Sequence, residues 1–317
     1  MIISASRRTD IPAFYSDWFF NRIKEGFVFV RNPRNYRQIS RIKISPDVVD
    51  GIVFWTKNPA PMLARLNEIR EYMYYFQFSV TPYGKDIEPH LPQKNTEILS
   101  AFKNISQLVG ADRVIWRYDP ILINAKYTIA YHTRAFEKIA AELHKHTRKV
   151  TISFVDTDYR GLKSNIDRLN LSPFTADMQI EVASALASIA REYGLTIDAC
   201  AEEVDLQAFG IEKARCIDGR LFSASLEKDK NQRPECGCAA SIDIGMYNTC
   251  MNGCLYCYAN YNPRTVAANF AAHNPMSPLL RGGIGPDGVV TDRVVKTKST
   301  GRIFRPVEIK KGSDQNV

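Results

Sequence analysis

The chain has 317 residues, of which 45% are hydrophobic and 24% are charged. This composition is that of an ordinary globular protein, and it excludes a disordered or low-complexity chain. No apolar run approaches the roughly 18 residues that a membrane span needs, and the first residues lack the apolar core of a secretory signal. We therefore expect a cytoplasmic protein with no membrane partner.

The net charge of +8 is concentrated at the two ends of the chain. Residues 1–50 carry nine Lys and Arg against five Asp and Glu, and residues 281–317 carry eight against four. The intervening residues carry both signs in equal number. Basic ends of this kind can contact nucleic-acid phosphates, although a basic tail is more often only a mobile terminus.

Short runs of β-branched and aromatic residues alternate with amphipathic helical stretches over residues 1–200. Such alternation predicts parallel strands joined by crossover helices. One extra hairpin, FVFVRNP with QISRIKI, interrupts the first unit. Six units are too few for a complete eight-stranded barrel. We therefore predict an α/β fold, either a partial (β/α)6 TIM-like barrel or an open sheet. The predicted strands are Ile2–Ala5, Gly51–Trp55, Tyr74–Val80, Arg113–Arg117, Val150–Phe154 and Leu195–Ala199.

Every predicted strand ends in polar or ionisable residues. Because ligands bind at the carboxyl ends of parallel strands, these residues predict one shared active face. Arg8 and Asp10 would grip a substrate phosphate or carboxylate, or else brace the rest of the chain. Lys57 would serve as a proton donor or a charge clamp, with a solvated lysine as the alternative. The residues in question are Arg7, Arg8, Thr9 and Asp10, then Thr56, Lys57 and Asn58, then Thr81, Arg117, Asp119 and Asp156.

All seven cysteines lie between Cys200 and Cys257. In a cytosolic chain, clustered cysteines indicate metal or redox chemistry. Cys250, Cys254 and Cys257 are spaced to converge in one compact loop, in which Gly253 permits a tight turn. Three thiolates can ligate a [4Fe–4S] cluster and leave its fourth iron open. The alternative is a zinc knuckle with His273 as a further ligand.

The cysteine loop resembles that of radical S-adenosylmethionine (SAM) enzymes. Its string TCMNGCLYCYANY is similar to the GC-x-HGC-x-YCYAR segment of the spore photoproduct lyase-like branch. Looser matches to that branch are Thr56-Lys57, Ser79-Val80-Thr81 with Ile87-Glu88-Pro89, and Arg117-Tyr118-Asp119-Pro120-Ile121. The chain also resembles an uncharacterised bacterial domain-of-unknown-function family with an N-terminal SRRTDIP and a C-terminal CxxxCxYCYAN.

This resemblance implies a [4Fe–4S] cluster that binds SAM and cleaves it to a 5′-deoxyadenosyl radical, with electrons from a donor such as flavodoxin or ferredoxin. Arg117 would pair with the SAM carboxylate and Asp119 with the ribose, or the two would form a structural salt bridge. Tyr256 would pack near the adenine, or would belong to a hydrophobic wall. The remaining cofactor residues implied are Thr56, Lys57 or Asn58 for the SAM amino group, and Thr81 through its motif.

The position of the loop departs from the family pattern. In radical SAM enzymes the loop follows the first strand, whereas here it follows the sixth. We expect a cysteine-rich extension over residues 201–317, with its cluster loop at 236–262, to fold back over the mouth of the partial barrel.

Four cysteines remain outside the loop, which is the number that ligates a second [4Fe–4S] cluster. The alternatives are a zinc site and buried free thiols. These residues are Cys200, Cys216, Cys236 and Cys238.

Two functions follow from these observations. One is a radical SAM enzyme acting on an undetermined small molecule or nucleic acid. The other is a non-catalytic zinc- or iron–sulfur-binding module that contacts nucleic acid through its basic ends.

Overall fold

Eight parallel strands form the central sheet of the computed structural model, which describes residues 1–158, 162, 165–222 and 227–297. The strands of the molecule, in chain order, are β1 (Ile2–Ala5), β2 (Phe27–Arg31), β3 (Gln38–Lys43), β4 (Gly51–Thr56), β5 (Tyr74–Ser79), β6 (Val114–Ile121), β7 (Lys149–Phe154), β8 (Thr196–Ala199), β9 (Glu212–Lys213), β10 (Ser241–Asp243) and β11 (Val289–Arg293).

The helices cover the connections between the strands. They are α1 (Ile11–Phe14), α2 (Ser16–Glu25), α3 (Leu99–Val109), α4 (Ile129–Leu143), α5 (Ile166–Leu169), α6 (Ala176–Glu192) and α7 (Pro263–Ala271). Shorter 3-10 segments cover Ala60–Ile69, Ala111–Arg113, Gln207–Phe209 and Gly219–Phe222, and a π-helical turn over Lys94–Ile98 leads into α3. None of the helices in the described ranges combines the length and the apolar character that crossing a membrane requires.

The six strands predicted from the sequence are all present and lie side by side in chain order, β1-β4-β5-β6-β7-β8. The partial TIM-like barrel is not confirmed, because the sheet has eight strands and is not closed. Its full order is β10-β1-β4-β5-β6-β7-β8-β9, in which each edge carries a strand from beyond residue 200. The six-stranded count was therefore too low by the two edge strands.

A second sheet of three strands lies apart from the central one. The predicted hairpin is confirmed, since β2 and β3 pair antiparallel, with Val28 opposite Ile42. Strand β11 adds to β3 in parallel, with Val290 opposite Ile39. Residues near the two ends of the described chain therefore share one sheet.

Aromatic side chains fill the layer between the central sheet and its helices. The rings of Phe54 and Phe76 stack 4.9 Å apart on neighbouring strands, and Trp116 stacks on Phe136 of α4 at 4.7 Å. All four are fully buried. This close-packed layer fixes the strand positions, and hence the positions of the loops at their carboxyl ends.

The cap residues of α6 agree with the sequence. The Thr175 hydroxyl accepts a hydrogen bond from Met178 N at 3.3 Å, as expected of an N-cap. Gly194 follows the helix with a φ of 68°, the left-handed conformation that glycine adopts most easily.

The extension predicted over residues 201–317 contributes β9 to one edge of the central sheet and β10 to the other. Strand β10 pairs with β1, and the Asp243 carboxylate at its end accepts hydrogen bonds from Arg7 N at 2.8 Å and Gly245 N at 3.0 Å. Residues 298–317, which include most of the basic segment KTKSTGR, lie outside the described residues.

A cysteine-lined cavity as the candidate functional site

A cavity of about 300 Å³ opens at the carboxyl ends of the central strands. All seven cysteines of the chain line it. The expected convergence of the strand ends is therefore observed, and we call this space the cysteine cavity. Each of the six predicted strands contributes to its lining through Ser6, Thr56, Ser79, Asp119, Phe154 and Cys200, respectively.

The loop that carries Cys250, Cys254 and Cys257 is held by hydrogen bonds to its backbone. The Tyr15 hydroxyl donates to Thr249 O at 2.6 Å, and the Asn260 amide donates to Cys250 O at 2.7 Å. Leu255 N donates to Ile87 O at 3.0 Å. Because these contacts come from distant parts of the chain, the loop is fixed against the body of the protein.

Gly253 makes the turn between the first two cysteines of the loop. Its φ of 68° lies in the left-handed region, which confirms the tight turn expected there. A side chain would also be obstructed, since a Cβ at this position would lie 2.9 Å from His90 Nδ1.

The three thiols of the loop favour their neutral form. Burial raises the pKa of Cys254 to about 12, although Lys57 acts in the opposite direction. Burial and the nearby Asp10 raise the pKa of Cys250, and burial also raises that of Cys257. Thiols in such surroundings become thiolates only when a bound cation compensates their charge. The three thiols would therefore need such a cation in order to act as metal ligands.

A buried ion cluster lies beside Cys254. The Glu88 carboxylate, which is fully buried, is 2.8 Å from Lys57 Nζ and also contacts Lys94 Nζ. The Thr81 hydroxyl donates to the same carboxylate at 2.8 Å. Burial alone would raise the pKa of Glu88, but the two lysines outweigh it and lower that pKa to about 2. Lys57 is therefore a clamped cation, and the solvated alternative is wrong.

Tyr256 lines the cysteine cavity and also belongs to its hydrophobic wall. Its hydroxyl donates to Glu88, and Lys57 Nζ lies 5.4 Å from the centre of its ring. The ring packs against Tyr83 with a centroid distance of 5.8 Å. The hydroxyl and part of the ring of Tyr256 are thus occupied by contacts with other residues of the protein.

The other four cysteines lie close together and line the same cavity. Cys216 Sγ is 3.3 Å from Cys200 Sγ and also contacts Cys238, which in turn contacts Cys236. The contact with Cys200, the contact with Cys238 and the charge of Arg117 hold the pKa of Cys216 well below its usual value, against the effect of burial. Cys216 is therefore the member of this group most ready to act as a thiolate.

Arg117 and Asp119 form a salt bridge, which is one of the two roles that the sequence suggested for them. Arg117 Nε donates to Asp119 at 2.9 Å, and Arg117 Nη1 lies 3.0 Å from Cys216 Sγ. The guanidinium also lies over the Trp55 ring at 5.1 Å. Arg117 is thus buried among protein partners, although both it and the adjacent Asp119 line the cavity.

The Arg7–Asp10 segment braces the extension through its backbone and its carboxylate. Arg7 N donates to Asp243, and the Tyr258 hydroxyl donates to Arg7 O at 2.8 Å. Asp10 accepts from Lys57 N at 2.8 Å and from the Asn252 amide at 3.2 Å. Burial raises the pKa of Asp10 to about 6 despite these hydrogen bonds. The bracing role is therefore present, whereas the side chains of Arg7 and Arg8 still line the cavity.

Three of the predicted residues do not line the cysteine cavity. Asn58 caps its own turn, since its side chain accepts from Ala60 N at 3.1 Å. Thr81 is committed to Glu88, as described above. His273 Nδ1 lies 2.7 Å from Leu280 O and its ring packs edge-on against Tyr15, so its contacts lie outside the cavity.

Several buried polar atoms of the cavity lining have no hydrogen-bond partner among the described residues. They are Thr9 Oγ1, Trp55 Nε1 and Asn260 Oδ1.

The described side chains do not form a ready-made metal site. In residues 1–158, 162, 165–222 and 227–297, no three His, Cys, Asp or Glu side chains are arranged to hold a metal ion directly. Both cysteine groups nevertheless face the same cavity, and all seven are free thiols. A metal or cluster would therefore bind with rotation of the thiol side chains.

Sequence reasoning missed the acidic and basic residues that hold the site together. Glu88 appeared only as part of a loosely matched motif, and neither Lys94 nor Asp243 was singled out. The adjacent Pro89 and the helical segment after it gave no sign that Glu88 turns inward. The sequence offered one chemical indication of Glu88, because a lysine such as Lys57 needs an acidic partner if it is buried.

The family model described as Domain of unknown function (DUF1848) matches residues 2–259. The matched residues include the central strands β1 and β4–β10 and the whole of the cysteine loop. No curated protein matches the chain.

Proposed function

The chain belongs to the family described as Domain of unknown function (DUF1848), and we propose that it is a radical SAM enzyme. In this proposal Cys250, Cys254 and Cys257 hold a [4Fe–4S] cluster, and SAM binds beside it in the cysteine cavity. When bound, the cluster supplies the electron that cleaves the sulfonium of SAM. The electron comes from a donor protein such as flavodoxin or ferredoxin.

One observation carries the proposal. The three thiols of the loop face a cavity at the carboxyl ends of parallel strands, and Arg7, Lys57 and Asp119 line the same cavity. A purely structural zinc knuckle needs no such cavity, and it needs a fourth ligand close to the three cysteines. His273, the residue expected to supply it, is held elsewhere.

The charged residues of the cavity suit an amino acid-like ligand. Arg7 is largely buried, lines the cavity, and has its nearest carboxylate, Asp229, at 3.8 Å. Arg117 is fully engaged by Asp119, Cys216 and Gln77. We therefore assign the SAM carboxylate to Arg7 in preference to Arg117, and the SAM amino group to the neighbourhood of Thr56.

Lys57 would act through charge. Its ammonium is held by Glu88 close to Cys254, and the Glu88 carboxylate raises its pKa against the effect of burial. A cation at this position stabilises the thiolate form of Cys254. Trp55 and Tyr256 supply apolar surface that excludes water from the same space.

The second group of cysteines is proposed to hold another metal centre. Cys200, Cys216, Cys236 and Cys238 are the number of thiols that ligates either a [4Fe–4S] cluster or one zinc ion. Because both groups line one cavity, a second cluster would lie near the reacting ligand, and a zinc ion would instead tie the extension to the sheet.

Metal loading tests the proposal directly. After anaerobic purification we expect a brown protein, and Cys254→Ala should lose about four irons per chain. The matched control is Cys238→Ala, which removes a thiol from the second group and should keep the irons of the loop. Circular dichroism melting establishes that both variants fold.

A colourless wild-type protein that contains only zinc would contradict the proposal. That result would favour the non-catalytic module, which binds zinc and contacts nucleic acid through its basic ends. Loss of all bound iron in both variants would instead show that the cysteines form a single site.

A further inference from the structure

A second cavity of about 280 Å³ lies next to the cysteine cavity. Its walls come from the β2–β3 hairpin, the segment 244–248, helix α7 and residues 279–281. Arg8 lines both cavities and forms part of the boundary between them. None of the cysteines lines this second space, which we call the arginine cavity.

All the charged side chains that line the arginine cavity within the described residues are arginines, namely Arg8, Arg31 and Arg281. No carboxylate of the described chain lies within 4.0 Å of Arg31 or Arg281, and Asp243 is only at that limit from Arg8. Three guanidinium groups around one small space produce a strongly positive potential. The cavity is therefore suited to an anion.

Two of these arginines are stacked on tyrosines. The Arg8 guanidinium lies 5.1 Å from the centre of the Tyr247 ring, and that of Arg31 lies 4.9 Å from the Tyr36 ring. Stacking occupies the face of a guanidinium and leaves the N–H groups along its edge for hydrogen bonds, such as the paired bonds that guanidinium edges form with phosphate oxygens. In Arg31, Nη1 already donates to Tyr36 O at 2.5 Å and Nη2 to Gly283 O at 2.7 Å, so a phosphate would meet its remaining N–H groups.

Arg281 provides an independent sign of a missing ligand. Its Nε atom is buried and has no hydrogen-bond partner among the described residues. A charged N–H group left in this state is unfavourable unless a bound anion accepts from it.

Four aromatic residues also line the arginine cavity, and two of them are open at the surface. Tyr36 is 52% exposed and Tyr261 is 48% exposed, although both line the cavity. Phe29 and Tyr247 add further aromatic surface. Exposed rings beside bound cations are the usual platform on which nucleobases stack.

We propose that the arginine cavity binds a nucleoside phosphate. The arginines would take the phosphate group, and the tyrosines would stack on the base. The cavity volume lies near the lower limit for small-molecule sites, which suits a single nucleotide unit. That unit is either a free nucleotide or one residue of a single strand, since both present the same phosphate and base.

The experiment is a binding titration of the full-length chain at low salt. The probes are thymidine 5′-monophosphate, thymidine, inorganic phosphate and a hexathymidylate strand. None of them contains adenine, so none mimics SAM. We expect the nucleotide to bind more tightly than thymidine or phosphate alone, because only the nucleotide uses both halves of the cavity. If the strand binds more tightly than the nucleotide, the ligand is one residue of a single strand. If the two bind equally, the ligand is a free nucleotide.

The variants Arg281→Gln and Arg31→Gln should weaken nucleotide binding about tenfold or more, because each removes charge-assisted hydrogen bonds to phosphate. Arg41→Gln is the matched control, since Arg41 lies on the same small sheet but outside the cavity and pairs with Asp292. Cys254→Ala should bind the nucleotide like the wild type, which separates this site from the proposed cluster.

Two results would overturn the proposal. One is a wild-type chain that binds neither the nucleotide nor the strand more tightly than inorganic phosphate. The other is unchanged nucleotide affinity in both arginine variants.

Discussion

At the scale of single residues, Glu88 is the centre of charge in the interior of the site. It is the fully buried anion between Lys57 and Lys94, and it also accepts from the hydroxyls of Thr81 and Tyr256. These partners come from the ends of two strands, from the start of a helix and from the cysteine loop. One carboxylate thus ties the loop to the central sheet.

We expect Glu88→Gln to lower the free energy of unfolding at pH 7 by about 3 kcal/mol. This value is near the lower end of the range for breaking a buried ion pair, because both lysines keep some solvent access. Because the fold lowers the pKa of Glu88 to about 2, its carboxylate stabilises the native state above the ordinary pKa of 4.5. This contribution is lost as the pH falls from 4.5 towards 2. The difference between variant and wild type should therefore shrink across that window.

Urea unfolding at a series of pH values measures this difference. Glu142→Gln serves as the control, because Glu142 forms an exposed ion pair with Lys103. An unfolding free energy of Glu88→Gln equal to that of the wild type at pH 7 would show that the buried cluster contributes nothing to stability.

The predicted site residues divide according to where their partners lie in the chain. Arg8, Lys57 and Cys200 were placed at one cavity by strand order alone, because parallel strands direct their ends to the same side. The other cysteines were placed there only by the expectation that the extension folds back over the strand ends. Asn58 and Thr81 share that placement in the sequence but turn to partners a few residues away. Strand order fixes where a loop begins, whereas local hydrogen bonds decide which of its side chains face the cavity.

At the scale of secondary-structure elements, the two edge strands of the central sheet have the greatest consequence. Strand β10 has three residues and β9 has two, so neither is long enough to show an alternating pattern. The six inner strands were predictable because each is a run of apolar β-formers between helical stretches. The edge strands form only because the rest of the sheet is there to pair with them.

The turn after β10 depends on a close approach at Gly245. A Cβ at this position would lie 2.1 Å from Ser6 Oγ and 2.5 Å from Ser6 Cβ. We expect Gly245→Ala to lower the free energy of unfolding by about 1–3 kcal/mol, as overpacking does in other close-packed sites. Thermal unfolding followed by circular dichroism measures the change.

Gly283→Ala is the control for this prediction, because a Cβ there would meet no atom within 4 Å. Equal stability of the two alanine variants would mean that the Ser6 contact relaxes without loss, and that the pairing of β10 with β1 does not depend on it.

At the scale of the whole molecule, the cysteine cavity forms where the first residues of the chain meet its last described third. Residues 6–10 provide one wall, the strand ends provide the floor, and residues 229–260 provide the rest. The sequence separation of these parts explains why the site could be predicted only in outline. The spacing of the cysteines indicates which of them share a loop. Whether the two cysteine groups line one cavity depends on how the extension packs against the sheet.

Part of the basic excess at the two ends of the sequence comes together in the structure, because Arg8, Arg31 and Arg281 line a single cavity. Most of the excess at the C-terminal end lies in residues 298–317, outside the described residues.

The most direct test of the central claim is turnover of SAM by the anaerobically purified, iron-loaded chain. With dithionite as the electron donor, chromatography should detect 5′-deoxyadenosine from the wild type and none from Cys254→Ala. Failure of the iron-loaded wild type to release 5′-deoxyadenosine, or undiminished release by Cys254→Ala, would contradict the assignment of the loop as the site of SAM cleavage.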